Sequence, residues 1–205
     1  MMNLRHHRFR NTALAAVAAV SLLASAVATS GVLAQSDSTD APATVSAQPQ
    51  TLTVSQTEGP YFKVNSPQRT SLVEDGMSRT VLTITGQVLS ADGTPVANAL
   101  LDFWQADNSG AYDNSGYTLR GHQYTDDNGY YTLTTVVPGL YTGRTRHIHV
   151  KVQAPNGPVL TTQLYFPNEP QNSRDGIFDA SLVLPIVDNG DGTESASFNF
   201  VVNTA

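Results

Sequence analysis

From Thr51 onward, Gly, Pro, Asp and Asn divide the chain into short segments that are apolar or alternate between apolar and polar residues. Such alternation is the pattern of a β-strand, and no window of about eleven residues shows a convincing helical period. Many short strands with regular turn signals predict an all-β domain, a β-sandwich or a β-barrel. The predicted strands are residues 82–88, 99–105, 123–125, 130–136, 146–153, 161–166 and 195–202.

The N-terminus has the pattern of a secretory signal peptide. Basic residues are concentrated in positions 5–10, and an apolar stretch follows at 13–28. This stretch is short and rich in Ala and Ser, which disfavours a membrane anchor of roughly 20 residues. Cleavage is predicted after the Val-Leu-Ala sequence at 32–34, with the Ala-Ser-Ala sequence at 24–26 as the alternative. We therefore expect residues 1–34 to be removed and the protein to be secreted or extracytoplasmic.

The composition changes twice after the predicted cleavage site. Residues 35–50 are mainly Ser, Asp, Thr, Ala, Pro and Gln, which predicts a disordered linker, and residues 51–205 form one domain of ordinary size. Without residues 1–34, eight Lys and Arg remain against seventeen Asp and Glu, a net charge of about −9. This charge argues against binding to nucleic acid, or to an anionic membrane after signal cleavage. The chain has no cysteine, so disulfides do not stabilise it.

The segment 146–152 reads Arg-His-Ile-His-Val-Lys-Val. On a strand, His147 and His149 point to one face, while Ile148 and Val150 point to the other. Two imidazoles on one face of a rigid strand are a possible start of a metal site, but the same pattern also occurs on the solvent face of an edge strand. A metal site requires further ligands on this face, whereas the solvent face of an edge strand does not.

Two tyrosines in turns are candidate ligands beside this histidine pair. Tyr141 follows Pro138-Gly139 in the turn leading into the histidine strand, and Tyr112 lies in a Gly-Ala-Tyr-Asp turn after another predicted strand. A phenol with a pKa near 10 has to lose its proton to bind a metal, and a trivalent ion favours that loss. Phenolate and imidazole together favour ferric iron over zinc or copper. Tyr117 is an alternative to Tyr112, and His122 is expected at the surface or behind the ligands.

The candidate ligands belong to an ordered set of motifs between Thr57 and Asp179. The motifs are Thr57-Glu58-Gly59-Pro60-Tyr61-Phe62, Leu101-Asp102-Phe103-Trp104-Gln105-Ala106-Asp107, Gly110-x-Tyr112-Asp113, Leu119-Arg120-Gly121-x-Gln123, Thr125-Asp126-x-x-Gly129, Pro138-Gly139-x-Tyr141, Gly143-Arg144-x-x-His147-Ile148-His149 and Thr161-Thr162-Gln163-Leu164-Tyr165-Phe166-Pro167. This set resembles the intradiol ring-cleaving dioxygenases, the family of protocatechuate 3,4-dioxygenase and catechol 1,2-dioxygenase, and most closely a short secreted branch. The resemblance implies a β-sandwich of the intradiol dioxygenase or transthyretin-like type with long loops.

The resemblance also implies a cofactor, a site and a reaction. The cofactor is Fe(III), and its protein ligands are Tyr112, Tyr141, His147 and His149. Tyr141 corresponds to a tyrosinate that leaves the iron when substrate binds, and Arg144 to a catalytic arginine beside the bound ring. Tyr61 and Gln163 correspond to residues around the substrate pocket. The implied reaction cleaves a catechol-type ring between its hydroxylated carbons and inserts both atoms of O2, which gives a muconate-type diacid.

Two other functions are compatible with the sequence. One is an exported transthyretin-like binding or structural module, because a fold does not determine a function. The other is a zinc or ferrous enzyme that uses His147, His149 and a carboxylate. The loop between Tyr141 and His147 is shorter than in the large members of the resembled family, which predicts a more open site. The sequence predicts neither the oligomeric state nor which catechol is the substrate.

Overall fold

The computed structural model describes residues 49–77 and 80–204 of the chain. The predicted signal peptide, residues 1–34, and all but the last two residues of the predicted linker lie outside these ranges. Within them, no helix has the length and apolar character needed to cross a membrane.

The described residues form two β-sheets packed face to face, which confirms the predicted all-β sandwich. The strands are β1 (Val81–Ser90), β2 (Leu100–Trp104), β3 (Arg120–Tyr124), β4 (Tyr130–Val136), β5 (His147–Gln153), β6 (Val159–Tyr165), β7 (Val187–Asp188), β8 (Thr193–Ser197) and β9 (Phe200–Val202). The five-stranded sheet has the order β4-β1-β8-β7, with β9 also paired to β1, and the four-stranded sheet has the order β3-β2-β5-β6. Two short 3-10 helices, Pro170–Ser173 and Ala180–Leu182, lie in the long connection after β6.

The core lies between the two sheets and is built by the alternation seen in the sequence. In β5, Ile148, Val150 and Val152 are fully buried and belong to the same core cluster as Leu82 and Ile84 of β1. Complete burial of such side chains contributes about 1.5–3 kcal/mol each relative to exposure. The core therefore fixes which face of β5 points inward, and with it the outward direction of the two histidines.

The predicted strand over residues 195–202 is divided between β8 and β9, which both pair in parallel with β1. At the break, the Gln87 N–H donates to Asn199 Oδ1 at 2.9 Å instead of to a strand carbonyl. A Cβ at Gly86 would lie 1.8 Å from the Phe198 carbonyl oxygen, so this close approach requires glycine. The alternation pattern does not contain this interruption, because it depends on a contact with a distant strand.

Two further differences concern short elements. β3 begins at Arg120, three residues before the predicted strand, and the 3-10 helices and the two-residue β7 were not predicted. Elements this short do not complete a recognisable period.

The outer face of the four-stranded sheet positions the site. Opposite residues on neighbouring strands point to the same face. The register therefore forms one row across all four strands, which we call the outer row: Arg120, Trp104, His149 and Gln163. All four side chains are buried although they point away from the core, with exposures of 0–3%. Loops cover this face, and the segment before β1 is tied to it by a hydrogen bond from Gln163 Nε2 to the Thr57 carbonyl at 2.9 Å.

Candidate metal centre

Three donor atoms converge beside the outer row. Nε2 of His147 lies 3.1 Å from Nε2 of His149 and 3.2 Å from the hydroxyl oxygen of Tyr112. Two atoms that bind one ion at about 2.1 Å each are separated by about 3.0–3.4 Å at angles of 90–109°. The spacing therefore fits donors that share a metal ion, and both histidines are buried, at 4% and 3% exposure.

His147 presents an unprotonated Nε2 to this point. His147 Nδ1 lies 2.6 Å from the Thr145 carbonyl oxygen, which only accepts, so Nδ1 carries the hydrogen. Burial lowers the pKa of His147 to about 4 and holds the pKa of His149 well below its ordinary value. Both rings are therefore neutral near pH 7, which is the form that binds metals.

His149 is held by ring stacking. Its imidazole lies parallel to the indole of Trp104, with centroids 4.7 Å apart and an interplanar angle of 6°. His149 Nδ1 is buried and has no hydrogen-bond partner among the described residues. Stacking therefore does the orienting that a hydrogen bond does for His147.

The loop that carries Tyr112 is built by two aspartates. Asp107 Oδ1 accepts from the Ser109 and Ala111 N–H groups at 2.8 and 3.0 Å. Asp113 closes the turn that follows Tyr112 by accepting from the Gly116 N–H at 2.7 Å. Local side-chain to backbone bonds of this kind order a loop that has no strand partners.

Gly110 brings this loop against the turn that carries Tyr141. Its φ is +85°, and a Cβ there would lie 2.1 Å from the Leu140 carbonyl oxygen. Another residue would separate the two loops, and with them Tyr112 from Tyr141.

Tyr112 stays protonated unless a cation ionises it. Burial raises the pKa of Tyr112 above its ordinary value, and the nearby charges of Arg144 and Arg120 oppose this effect only in part. A strongly charged ion would provide the missing stabilisation of the phenolate.

Three tyrosine rings cluster at the site. Tyr61 stacks on Tyr112 with centroids 4.5 Å apart and an interplanar angle of 14°, and Tyr141 lies edge-on to both, at 5.5 and 5.8 Å. The Tyr141 hydroxyl lies 3.0 Å from the Tyr61 hydroxyl. Tyr141 is therefore placed beside the other predicted ligands, with its hydroxyl paired to Tyr61 instead of to a histidine.

The two alternative ligands point elsewhere. Tyr117 donates its hydroxyl hydrogen to the Val64 carbonyl at 2.9 Å, and the Lys63 ammonium lies 4.6 Å from its ring centre. His122 Nδ1 donates to the Ser66 carbonyl at 2.7 Å, which leaves this ring outside the donor set. No group of three or more His, Cys, Asp or Glu side chains suited to a metal occurs in residues 49–77 and 80–204. The alternative of two histidines and a carboxylate therefore lacks its carboxylate here.

Arg144 is held by two side chains. Its Nε donates to Asp175 Oδ2 at 2.8 Å and its Nη2 donates to Gln163 Oε1 at 2.7 Å. The same Asp175 oxygen accepts from the Thr145 N–H at 2.9 Å. Although burial raises the pKa of Asp175, these hydrogen bonds lower it below its ordinary value, so the carboxylate is ionised beside Arg144.

Two residues around the site were not predicted to have a role there. Asp175 lies 31 residues after Arg144, in the connection that follows β6, and its Asp-Gly context indicates only a turn. Trp104 lies in a recognised motif, but its stacking on His149 depends on the register between β2 and β5.

Comparison with known proteins finds similarity to dioxygenases. The family model described as "Dioxygenase" matches residues 57–203. Hydroxyquinol 1,2-dioxygenase of a Rhizobium species is 28% identical, over 58% of this chain and 50% of that protein. Chlorocatechol 1,2-dioxygenase of Rhodococcus opacus is 27% identical, over 73% of this chain and 72% of that protein. The chain thus spans about half the length of several curated relatives that it matches.

Solved structures show the same relationship. The dioxygenase domain of a dioxygenase–carbohydrate-binding fusion from Streptomyces sp. SirexAA-E is 52% identical with a TM-score of 0.73, over 76% of this chain and all of that one. The 3-chlorocatechol 1,2-dioxygenase of Rhodococcus opacus 1CP is 30% identical with a TM-score of 0.70, over 75% of this chain and 73% of that one. The chain belongs to the intradiol dioxygenase family.

Proposed function

We propose that this protein is a non-haem Fe(III)-dependent intradiol dioxygenase that cleaves catechol-type rings with O2 to muconate-type diacids. The observation that carries the proposal is the convergence of three donor atoms beside Tyr141. The Tyr112 hydroxyl oxygen and His149 Nε2 lie 3.2 and 3.1 Å from His147 Nε2, and both imidazoles are neutral. Family membership supports it, as do relatives named for hydroxyquinol and chlorocatechol. A transthyretin-like binding module has no need for this donor set.

The donor set fits ferric iron. His147, His149, Tyr112 and Tyr141 would hold the ion, since phenolates are hard ligands and imidazoles are of intermediate softness. When bound, the ion supplies the Lewis acidity that stabilises the phenolates and makes a catechol reactive toward dioxygen.

Tyr141 is suited to accept a proton from the substrate. A catechol that binds through both oxygens loses two protons, and a Tyr141 phenolate is a base for one of them. Once protonated, the Tyr141 hydroxyl keeps a hydrogen-bond partner in Tyr61, 3.0 Å away. The Tyr61 hydroxyl would therefore stabilise Tyr141 in its neutral phenol form.

Arg144 is suited to stabilise negative charge on the reacting ring. Its guanidinium is a planar cation, and Asp175 and Gln163 hold it in one orientation. A positive group that is already oriented does not have to reorganise as charge develops, which is the basis of electrostatic catalysis.

Metal analysis and an optical spectrum test the proposal. We expect about one iron per chain, a tyrosinate-to-iron charge-transfer band in the visible, and oxygen uptake with a panel of catechols. Tyr141→Phe should change the band and lower turnover, whereas the control Tyr117→Phe should preserve both. A purified protein without iron and without this band, or a Tyr141→Phe variant with unchanged turnover, contradicts the proposal.

We also propose that residues 1–34 direct export and are then removed. The support is the basic segment, the apolar stretch and the small residues at the predicted cleavage site. N-terminal sequencing of the protein from the extracytoplasmic fraction should begin at Gln35, or at Val27 if the alternative site is used. Recovery of the chain in the cytoplasm with residues 1–34 intact would contradict it.

A further inference from the structure

Arg120 is a buried arginine without a carboxylate partner. It is 1% exposed and forms none of the ion pairs found among the described residues, whereas Arg69, Arg144 and Arg146 each pair with a carboxylate. Burial of a charge without a counter-charge is costly, so a residue of this kind needs a specific compensating role.

The guanidinium of Arg120 binds two backbone carbonyls instead. Nη1 donates to the Tyr61 carbonyl at 2.6 Å, while Nε and Nη2 donate to the Asp113 carbonyl at 3.1 and 3.0 Å. One carbonyl belongs to Tyr61 itself and the other to the residue directly after Tyr112. These are the two tyrosines whose rings stack at 4.5 Å. A single planar fork thus clamps together the backbones of two separate segments that meet at the candidate metal centre.

The strand register connects the same arginine to the histidines. Arg120 stands opposite Trp104, and Trp104 stands opposite His149 and stacks on it. The preceding residue, Leu119, has a φ of +55° and is buried in the core. This left-handed turn, which residues other than glycine rarely adopt, sends Leu119 inward and Arg120 outward at the start of β3.

We propose that Arg120 is a positioning residue that holds Tyr112 in register with His147 and His149 by joining the backbones of Tyr61 and Asp113. The proposal deepens the proposed function and rests on it, because it assigns Arg120 a role toward the metal that Tyr112 would bind.

Arg69 provides a matched control. It also donates to two backbone carbonyls, of Arg120 at 3.0 Å and of Tyr117 at 2.6 Å, but it is paired with Glu74 and neither carbonyl belongs to a stacked tyrosine or its neighbour. Loss of Arg69 therefore removes a comparable number of hydrogen bonds, none of which is one of the Arg120 bonds to the Tyr61 and Asp113 carbonyls.

The test compares Arg120→Lys and Arg120→Met with Arg69→Lys and Arg69→Met in the full chain. Iron affinity is measured by competition with a chelator, and the charge-transfer band by optical spectroscopy. Hydrogen exchange of residues 105–118 is measured on the metal-free protein. We expect iron affinity to fall about 10–100-fold in Arg120→Met, as for other residues that orient metal ligands. Arg120→Lys keeps the charge but loses the fork, so its band should stay near the wild-type position while exchange of the loop accelerates.

The outcomes separate positioning from general support of the fold. If Arg69→Lys lowers iron affinity and loop protection as much as Arg120→Lys at an equal loss of Tm, Arg120 serves the fold alone and the proposal is wrong. If Arg120→Met does not fold, the comparison of Arg120→Lys with Arg69→Lys tests the proposal. If the wild-type protein binds no iron, the proposed function fails, while hydrogen exchange of the metal-free variants still shows whether Arg120 holds the Tyr112 loop.

Discussion

The inner face of the four-stranded sheet and the outer row are both buried but differ in chemistry. On the inner face, Phe103, Ile148 and Val150 are fully buried against apolar partners in the other sheet. On the outer face, the row from Arg120 to Gln163 is also buried, and it carries polar groups: Arg120 and Gln163 bind backbone carbonyls, and His149 Nε2 lies at the candidate metal centre. Burial of apolar side chains against a second sheet stabilises the fold. Burial of polar side chains under ordered loops forms a polar site with a low local dielectric constant.

The largest expected effect is on the outer face. His149→Ala removes one of the two imidazole donors, and we expect loss of iron and a fall in turnover of roughly 1,000-fold or more, since the Lewis acid supplies several kcal/mol. Iron content and oxygen uptake measure this change. Retention of stoichiometric iron by His149→Ala would show that the donor set is misassigned.

The neighbouring residue on the inner face should behave in the opposite way. Ile148→Ala leaves a cavity between the sheets, so we expect a loss of about 2–5 kcal/mol in the free energy of unfolding. Iron content per folded chain should stay close to that of the wild type. Urea denaturation and metal analysis of the same sample test both statements, and a large loss of iron from folded Ile148→Ala would break the separation between the faces.

The pH dependence of stability should report the buried histidines. The pKa of His147 is about 4 in the folded protein, against 6.5 for an ordinary histidine. The unfolded chain therefore binds more protons between these values, so stability is fully present above pH 6.5 and is lost as the pH falls toward 4. For one group this amounts to about 3 kcal/mol. Urea denaturation of the metal-free protein at several pH values tests it, and His147→Gln should show a weaker dependence.

A smaller effect is expected from Asp175→Asn. The substitution preserves the shape of the side chain but weakens the ionic bond that orients Arg144, so we expect about a tenfold loss of kcat, equivalent to about 1.4 kcal/mol. KM should change less than kcat if Arg144 acts on the reacting ring. Glu169→Gln, which weakens the ion pair of Arg146, is the matched control and should leave kcat within about twofold of the wild type.

The smallest effect is expected from Tyr117→Phe. Only one hydrogen bond, to the Val64 carbonyl, is lost, which should cost less than about 1 kcal/mol of stability. Iron content and turnover should remain those of the wild type. A loss of the charge-transfer band in this variant would make Tyr117 a ligand and would overturn the choice of Tyr112.

Most of the predicted fold and candidate site followed from the alternation within strands and from the order of the motifs. The alternation in β5 placed His147 and His149 on the same face, and the turn motifs around Tyr112 and Tyr141 brought two phenols toward them. These features were readable because they are local: a strand alternates with a period of two, and a turn needs glycine or proline at set positions. The break between β8 and β9 was not readable, because it depends on a close approach to Gly86 from a distant strand.

The sequence by itself determined the all-β character of the domain, the outward direction of the two histidines and the types of candidate ligand. Tertiary structure decided the rest: that Tyr112 and not Tyr117 reaches His147, that Asp175 holds Arg144, and that Arg120 clamps Tyr61 to the Tyr112 loop. These contacts join residues that are 31–59 positions apart in the sequence, so a local periodic pattern cannot predict them. They form because the core fixes the register of the sheet, which sets the outer row and the loops that close over it.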